Sequence, residues 1–78
     1  RVNALAPGPP ATRMMESVGA QINAEDPAAF KDMVLTSIPM QRYATVEEIA
    51  NLAVFLASDE SSFCNGAVYM ADGGFTAA

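Results

Sequence analysis

The sequence predicts an α/β fold, a strand-helix-strand crossover that belongs to a parallel sheet. Three observations predict it: a short apolar run that stops at a proline cluster, a capped amphipathic helix in mid-chain, and a second apolar run closed by paired glycines. Parallel strands need a long connection of this kind, and such crossovers are right-handed in nearly every case.

Taken in order, residues 1–6 read as the first strand. Val2, Ala4 and Ala6 alternate with Asn3 and Leu5, and Pro7-Gly8-Pro9-Pro10 leaves no room for a helix. Both faces are nearly apolar, as suits a parallel strand covered on each side. Residues 7–12 form the rigid loop that follows.

Residues 13–38 read as a helical excursion in two pieces. The first places Met14, Met15, Val18 and Ile22 at helical spacing but is weakened by Gly19. The second opens with Asp26 as N-cap and Pro27 at the first helical position, and sets Phe30, Met33 and Val34 on one stripe. Pro39 then forces Ile38 out of helical geometry. The strongest helix is expected over residues 46–57, where Thr45 and Glu48 make a T-x-x-E capping box and Ile49, Leu52, Ala53 and Leu56 follow at i, i+3, i+4 and i+7. Ser58 to Ser62 end it, Asn65-Gly66 turns the chain, and residues 67–71 read as a second buried strand before Gly73-Gly74.

Composition narrows the function. The 78 residues fill at most one small domain, yet 51% are hydrophobic, more apolar surface than so short a chain can cover alone. The run that begins at Val2 has no polar lead-in, so the chain reads as one that starts mid-fold. Net charge is -5, with Arg1, Arg13, Lys31 and Arg42 scattered, which makes nucleic acid and anionic membranes poor partners. One cysteine, Cys64, and no histidine exclude a disulfide framework and a Cys/His metal site, and fit a reducing cytoplasm. No stretch approaches the ~18 apolar residues of a membrane span.

Arg1-Val2-Asn3-Ala4-Leu5-Ala6-Pro7-Gly8, Thr12, Glu47-Glu48-Ile49-Ala50 with Phe55-Leu56, Gly66 and Asp72-Gly73-Gly74 together resemble the C-terminal part of the short-chain dehydrogenases/reductases. The order and spacing of the blocks carry the resemblance, since a lone Pro-Gly would mean nothing. It spans Arg1 to Phe75 and is weakest over roughly Met14 to Ser37. The resemblance implies a Rossmann-type doubly wound sheet in which residues 2–6 and 67–71 are the sixth and seventh strands. Independently of any family, ligands of open parallel sheets bind beyond the carboxyl ends of the strands, where Pro7 to Thr12 lie.

The resemblance further implies that the loop after the sixth strand faces the nicotinamide half of NAD or NADP in the complete parent, and it nominates Pro7, Gly8, Pro10 and Thr12 as cofactor-binding residues. Pro10 stands where the family usually has valine or isoleucine, and a proline has no N–H to give the carboxamide. In the same way the variable stretch becomes a substrate lid, with Met14, Met15, Val18, Phe30 and Met33 as candidate substrate-lining residues; plain packing of two short helices is the competing reading. The family's Tyr-x-x-x-Lys pair is missing: the tyrosines are Tyr43 and Tyr69, and neither has a lysine four residues on. No catalytic residue and no metal ligand are therefore assigned. The parent implied is an NAD(P)-dependent oxidoreductase acting on an alcohol or ketone, a homotetramer joined through residues 46–57 and 67–71, and the segment alone is expected to be inactive. A self-standing docking or oligomerisation module is the alternative.

Overall fold

The computed structural model describes residues 1–77. Two strands, β1 (Ala4–Pro7) and β2 (Val68–Ala71), pair in parallel in the register Ala4↔Val68 to Pro7↔Ala71. Between them run three helices, α1 (Arg13–Ile22), α2 (Pro27–Thr36) and α3 (Val46–Ala57), and short 3-10 turns occupy Asp59–Ser61 and Phe75–Ala77. The architecture is α/β, a parallel strand pair joined by a helical crossover.

The strand expected over residues 1–6 forms over Ala4–Pro7, and the reason is in its first three side chains. The Arg1 guanidinium donates to the carbonyls of Ser61 at 2.8 Å and Ser58 at 3.1 Å and to the Ser61 hydroxyl at 3.0 Å. Val2 N–H donates to Asn65 Oδ1, and the Asn3 carboxamide both donates to the Cys64 carbonyl and accepts from Ala67 N–H. These side chains, together with the backbone bond from Gly66 N–H to the Val2 carbonyl at 2.7 Å, close this end of the sheet, and the second strand, expected over 67–71, forms over Val68–Ala71. Pro7 joins β1 at no cost in hydrogen bonds to β2. The N–H groups of Ala4 and Gly8 point to β2, donating to Ala67 and Ala71, so residue 7 faces the other way.

The excursion expected over residues 13–38 divides into α1 and α2, with residues 23–26 between them. Thr12 caps α1 by accepting from Met15 N–H, and Asp26 caps α2 by accepting from Ala29 N–H. Gly19, expected as a weak point, is buried where the helices meet: a Cβ there would lie 3.1 Å from the Phe30 ring. Its missing side chain lets α2 approach. At α3 the capping box is complete, Thr45 Oγ1 accepting from Glu48 N–H and Glu48 Oε1 from Thr45 N–H.

Ile38 is the buried hydrophobic residue, 2% exposed, held against Gly73 and followed by Pro39, which packs on Gly74. The core thus sits at the junction of the α2 exit and the turn after β2. Elsewhere burial is shallow. The accessible surface is 5555 Å², where a compact monomer of this mass exposes roughly 4,500 Å². The radius of gyration is 14.7 Å, against about 11.5 Å for a compact chain of this length.

Candidate functional site

The loop leaving β1 is the centre of the candidate site, because every element that carries a nominated residue meets there. Gly8 N–H donates to Ala71 O, and a Cβ on Gly8 would fall 2.8 Å from the Asp72 Cα. The glycine is required by the neighbouring turn itself, before any ligand is considered. Pro10 forms a parallel bridge with Ala44: Ala44 N–H donates to Pro9 O, and Ala11 N–H donates to Ala44 O. In such a bridge Ala44 uses both its backbone groups, while the nitrogen and carbonyl of Pro10 face away from it.

Pro7, Gly8, Pro10 and Thr12 thus lie along one rigid path, with the strand pair on one side and the Ala44 segment on the other. Thr12 Oγ1 accepts from Met15 N–H at 3.3 Å, which leaves its hydroxyl proton free to donate. Among the polar groups this path offers a ligand are a carbonyl acceptor, at Pro10, and a hydroxyl donor, at Thr12. A primary carboxamide needs that complement, an acceptor for its NH2 and a donor to its oxygen. The donor set therefore fits a nicotinamide group without a backbone N–H from residue 10.

Two cavities flank the path. One of about 320 Å³ lies between the strand exits and the turn after β2, with Gly8, Pro9, Ile38, Met70 and Asp72 in its wall. Arg42 and Glu48 close part of it. The Arg42 guanidinium holds the Glu48 carboxylate by two parallel bonds of 2.7 and 2.8 Å. That pairing, aided by the Thr45 N–H, lowers the Glu48 carboxyl to about 2 and raises the Arg42 guanidinium further. In the turn, Asp72 accepts from the Thr76 hydroxyl and from the N–H groups of Thr76 and Gly74, which keeps its carboxyl below the usual range, the Thr76 hydroxyl contributing most.

The other cavity, about 290 Å³, opens between α1, α2 and Tyr43, beside Thr12. It divides the expected substrate-lining residues. Met15 and Phe30 are in its wall; Val18 is half-buried but outside the lining, and Met14 and Met33 are 72% and 64% exposed on the outer faces of their helices. Tyr43 and Lys31 join the wall, the Lys31 ammonium 5.7 Å above the Tyr43 ring centroid. Sequence reasoning missed both, because they are 12 positions apart and only the loop between α2 and α3 brings them together. Tyr69 lies in β2, where the Cys64 thiol raises its hydroxyl above the ordinary value. Among the described residues no group of His, Cys, Asp and Glu could hold a metal ion.

Residues 1–76 match the protein family described as enoyl-(acyl carrier protein) reductase. The chain is 47% identical over 76 residues to Oxidoreductase UcpA of Escherichia coli (strain K12), which covers 97% of this chain and 29% of that relative. It superposes on the crystal structure of levodione reductase with a TM-score of 0.93 and 38% identity, over 100% of this chain and 30% of that one. A gluconate 5-dehydrogenase from Burkholderia cenocepacia J2315, solved in complex with NADP and tartrate, superposes with a TM-score of 0.79 and 37% identity, over 100% of this chain and 28% of that one. The chain spans about 30% of the length of the proteins it resembles.

Proposed function

The chain belongs to the short-chain dehydrogenase/reductase family, and from that premise we propose that the whole protein is an NAD(P)-dependent oxidoreductase to which these residues contribute the nicotinamide-side loop and the substrate lid. The observation that carries the reading is the convergence at the β1 exit. Pro7, Gly8, Pro10 and Thr12 follow one rigid path past the strand ends, and the α1/α2 cavity opens beside Thr12. NAD or NADP, when bound, accepts or delivers the hydride. The residues here bind and orient: the Pro10 carbonyl takes the carboxamide NH2, the Thr12 hydroxyl donates to the carboxamide oxygen, and Met15 and Phe30 wall an alcohol or ketone substrate away from water. Met14 and Met33 form the outer lid surface, and Val18 packs beneath it. The proton-transferring residues lie outside this chain, so the segment alone is inactive.

The test is cofactor titration and NAD(P)H-linked ketone reduction with the full-length protein. Pro10→Val adds an N–H on the side facing away from Ala44, a donor for the carboxamide, so it tightens cofactor binding. Unchanged affinity would remove Pro10 from the site.

For the assembly, we propose a homo-oligomer, a tetramer in the family pattern, joined through α3 and β2. Val54 on α3 is 68% exposed and Val68 on β2 60%, with Met70 and Phe63 also exposed, apolar side chains that a second subunit would cover. Among the described residues no helix is long and apolar enough to cross a membrane, and a cytoplasmic location fits the single free cysteine.

A further inference from the structure

We infer that the α1/α2 cavity selects small hydroxy or keto acids, with Lys31 as the residue that binds the substrate carboxylate. The inference rests on the reading of that cavity as the substrate pocket and adds the chemical class that pocket takes. At about 290 Å³ the cavity is at the small end of ligand sites, a volume for a compact metabolite. Its floor is apolar and aromatic, from Met15, Phe30 and Tyr43. Such a floor takes the C–H faces of a carbohydrate-like carbon chain.

Two charged groups, both exposed, border this apolar wall. Lys31, the sole lysine of the sequence, places its ammonium 5.7 Å over the Tyr43 ring. It makes no ion pair among the described residues, where Arg42–Glu48 is the pair formed. Such an exposed ammonium at the cavity wall is a binding point for an anionic substituent. Glu16, on the wall contributed by α1, is acceptor-only when ionised and suits substrate hydroxyls. One cation, one acceptor and an apolar floor together describe a polyhydroxy carboxylate. Oxidation would move a hydride from the carbinol carbon to NAD(P)+ and release the hydroxyl proton, giving the keto acid and NAD(P)H.

The experiment uses the full-length protein with NADP, and titrates D-gluconate and its neutral counterpart sorbitol by calorimetry, alongside turnover of each. Gluconate is expected to bind at least tenfold more tightly than sorbitol, with a preference that shrinks as salt rises. Lys31→Met lowers the gluconate-to-sorbitol affinity ratio at least tenfold and raises KM for the acid more than it lowers kcat; Lys31→Arg restores most of the ratio. Equal weakening of both ligands, no change in the ratio, or no gluconate binding by the wild type overturns the assignment. Binding is read without turnover. Failure to bind NAD or NADP at all instead sinks the oxidoreductase reading, so the two failures are told apart.

Discussion

At the scale of single residues, the backbone positions with positive φ set sharp limits. Gly73 has φ +65, and a Cβ there would lie 2.7 Å from Cγ2 of the buried Ile38. Gly73→Ala combines left-handed strain with a clash in the core, and should destabilise the full-length protein by about 2 to 4 kcal/mol in denaturant unfolding. A loss under about 1 kcal/mol would mean the turn relaxes freely. Gln41 shows the opposite case, a side chain carried at φ 55. Gln41→Gly relieves that strain and should leave stability unchanged or raise it by up to about 1 kcal/mol, measured the same way. Thr12 has two tasks, capping α1 and donating its hydroxyl. Thr12→Ser preserves both, whereas Thr12→Ala should cost about 1 kcal/mol of stability and also weaken cofactor affinity. Stability loss with unchanged affinity would reduce Thr12 to a cap.

At the scale of elements, α3 shows what a sequence makes legible. Thr45, Glu48 and the Ile49-Leu52-Leu56 stripe carry its start and its inner face in local spacing alone, and the helix runs from Val46 to Ala57. The partner of Glu48 is not legible in that way. Arg42 lies six positions upstream across a turn, and only the fold brings its guanidinium to the carboxylate. The same holds for Arg1, which is read as a strand residue by hydrophobic alternation but spends its donors on carbonyls some sixty positions later. Periodicity senses neighbours along the chain and is blind to such closures. The Glu48 pairing has a pH consequence. Because the folded carboxyl titrates at about 2, below its ordinary value of 4.5, the pairing stabilises the protein above pH about 4.5 and is lost as pH falls toward 2. Glu48→Gln should flatten the acid limb of the stability curve between those values. An unchanged acid limb would show that the ion pair adds nothing to the folded state, as many exposed pairs do.

At the scale of the whole molecule, the parallel pairing and its crossover were predictable from two apolar runs and one capped helix, whereas the site was predictable only as a path. Pro7 to Thr12 sit past the strand ends by topology, but the division of the lid into Met15 and Phe30 inside, Met14 and Met33 outside, depends on how α1 turns onto α2 through Gly19. A stripe in sequence says which residues share a face and nothing about what that face meets. The same limit bears on stability. Val2, Val54, Phe63, Val68 and Met70 are all more than half exposed, and a groove lined by Val2, Leu5, Ala53 and Leu56 opens between β1 and α3. The edge of β1 away from β2 has no strand beside it among the described residues. Two strands with apolar faces on both sides do not make a stable sheet in water. The 78 residues alone should therefore melt without a cooperative transition, or associate as concentration rises, in circular dichroism and gel filtration, while the full-length protein unfolds cooperatively. A monomeric, cooperative melt of the 78 residues would show that Ile38 and the Gly73-Gly74 turn suffice as a core, and would favour a self-standing docking module over a part of a larger sheet.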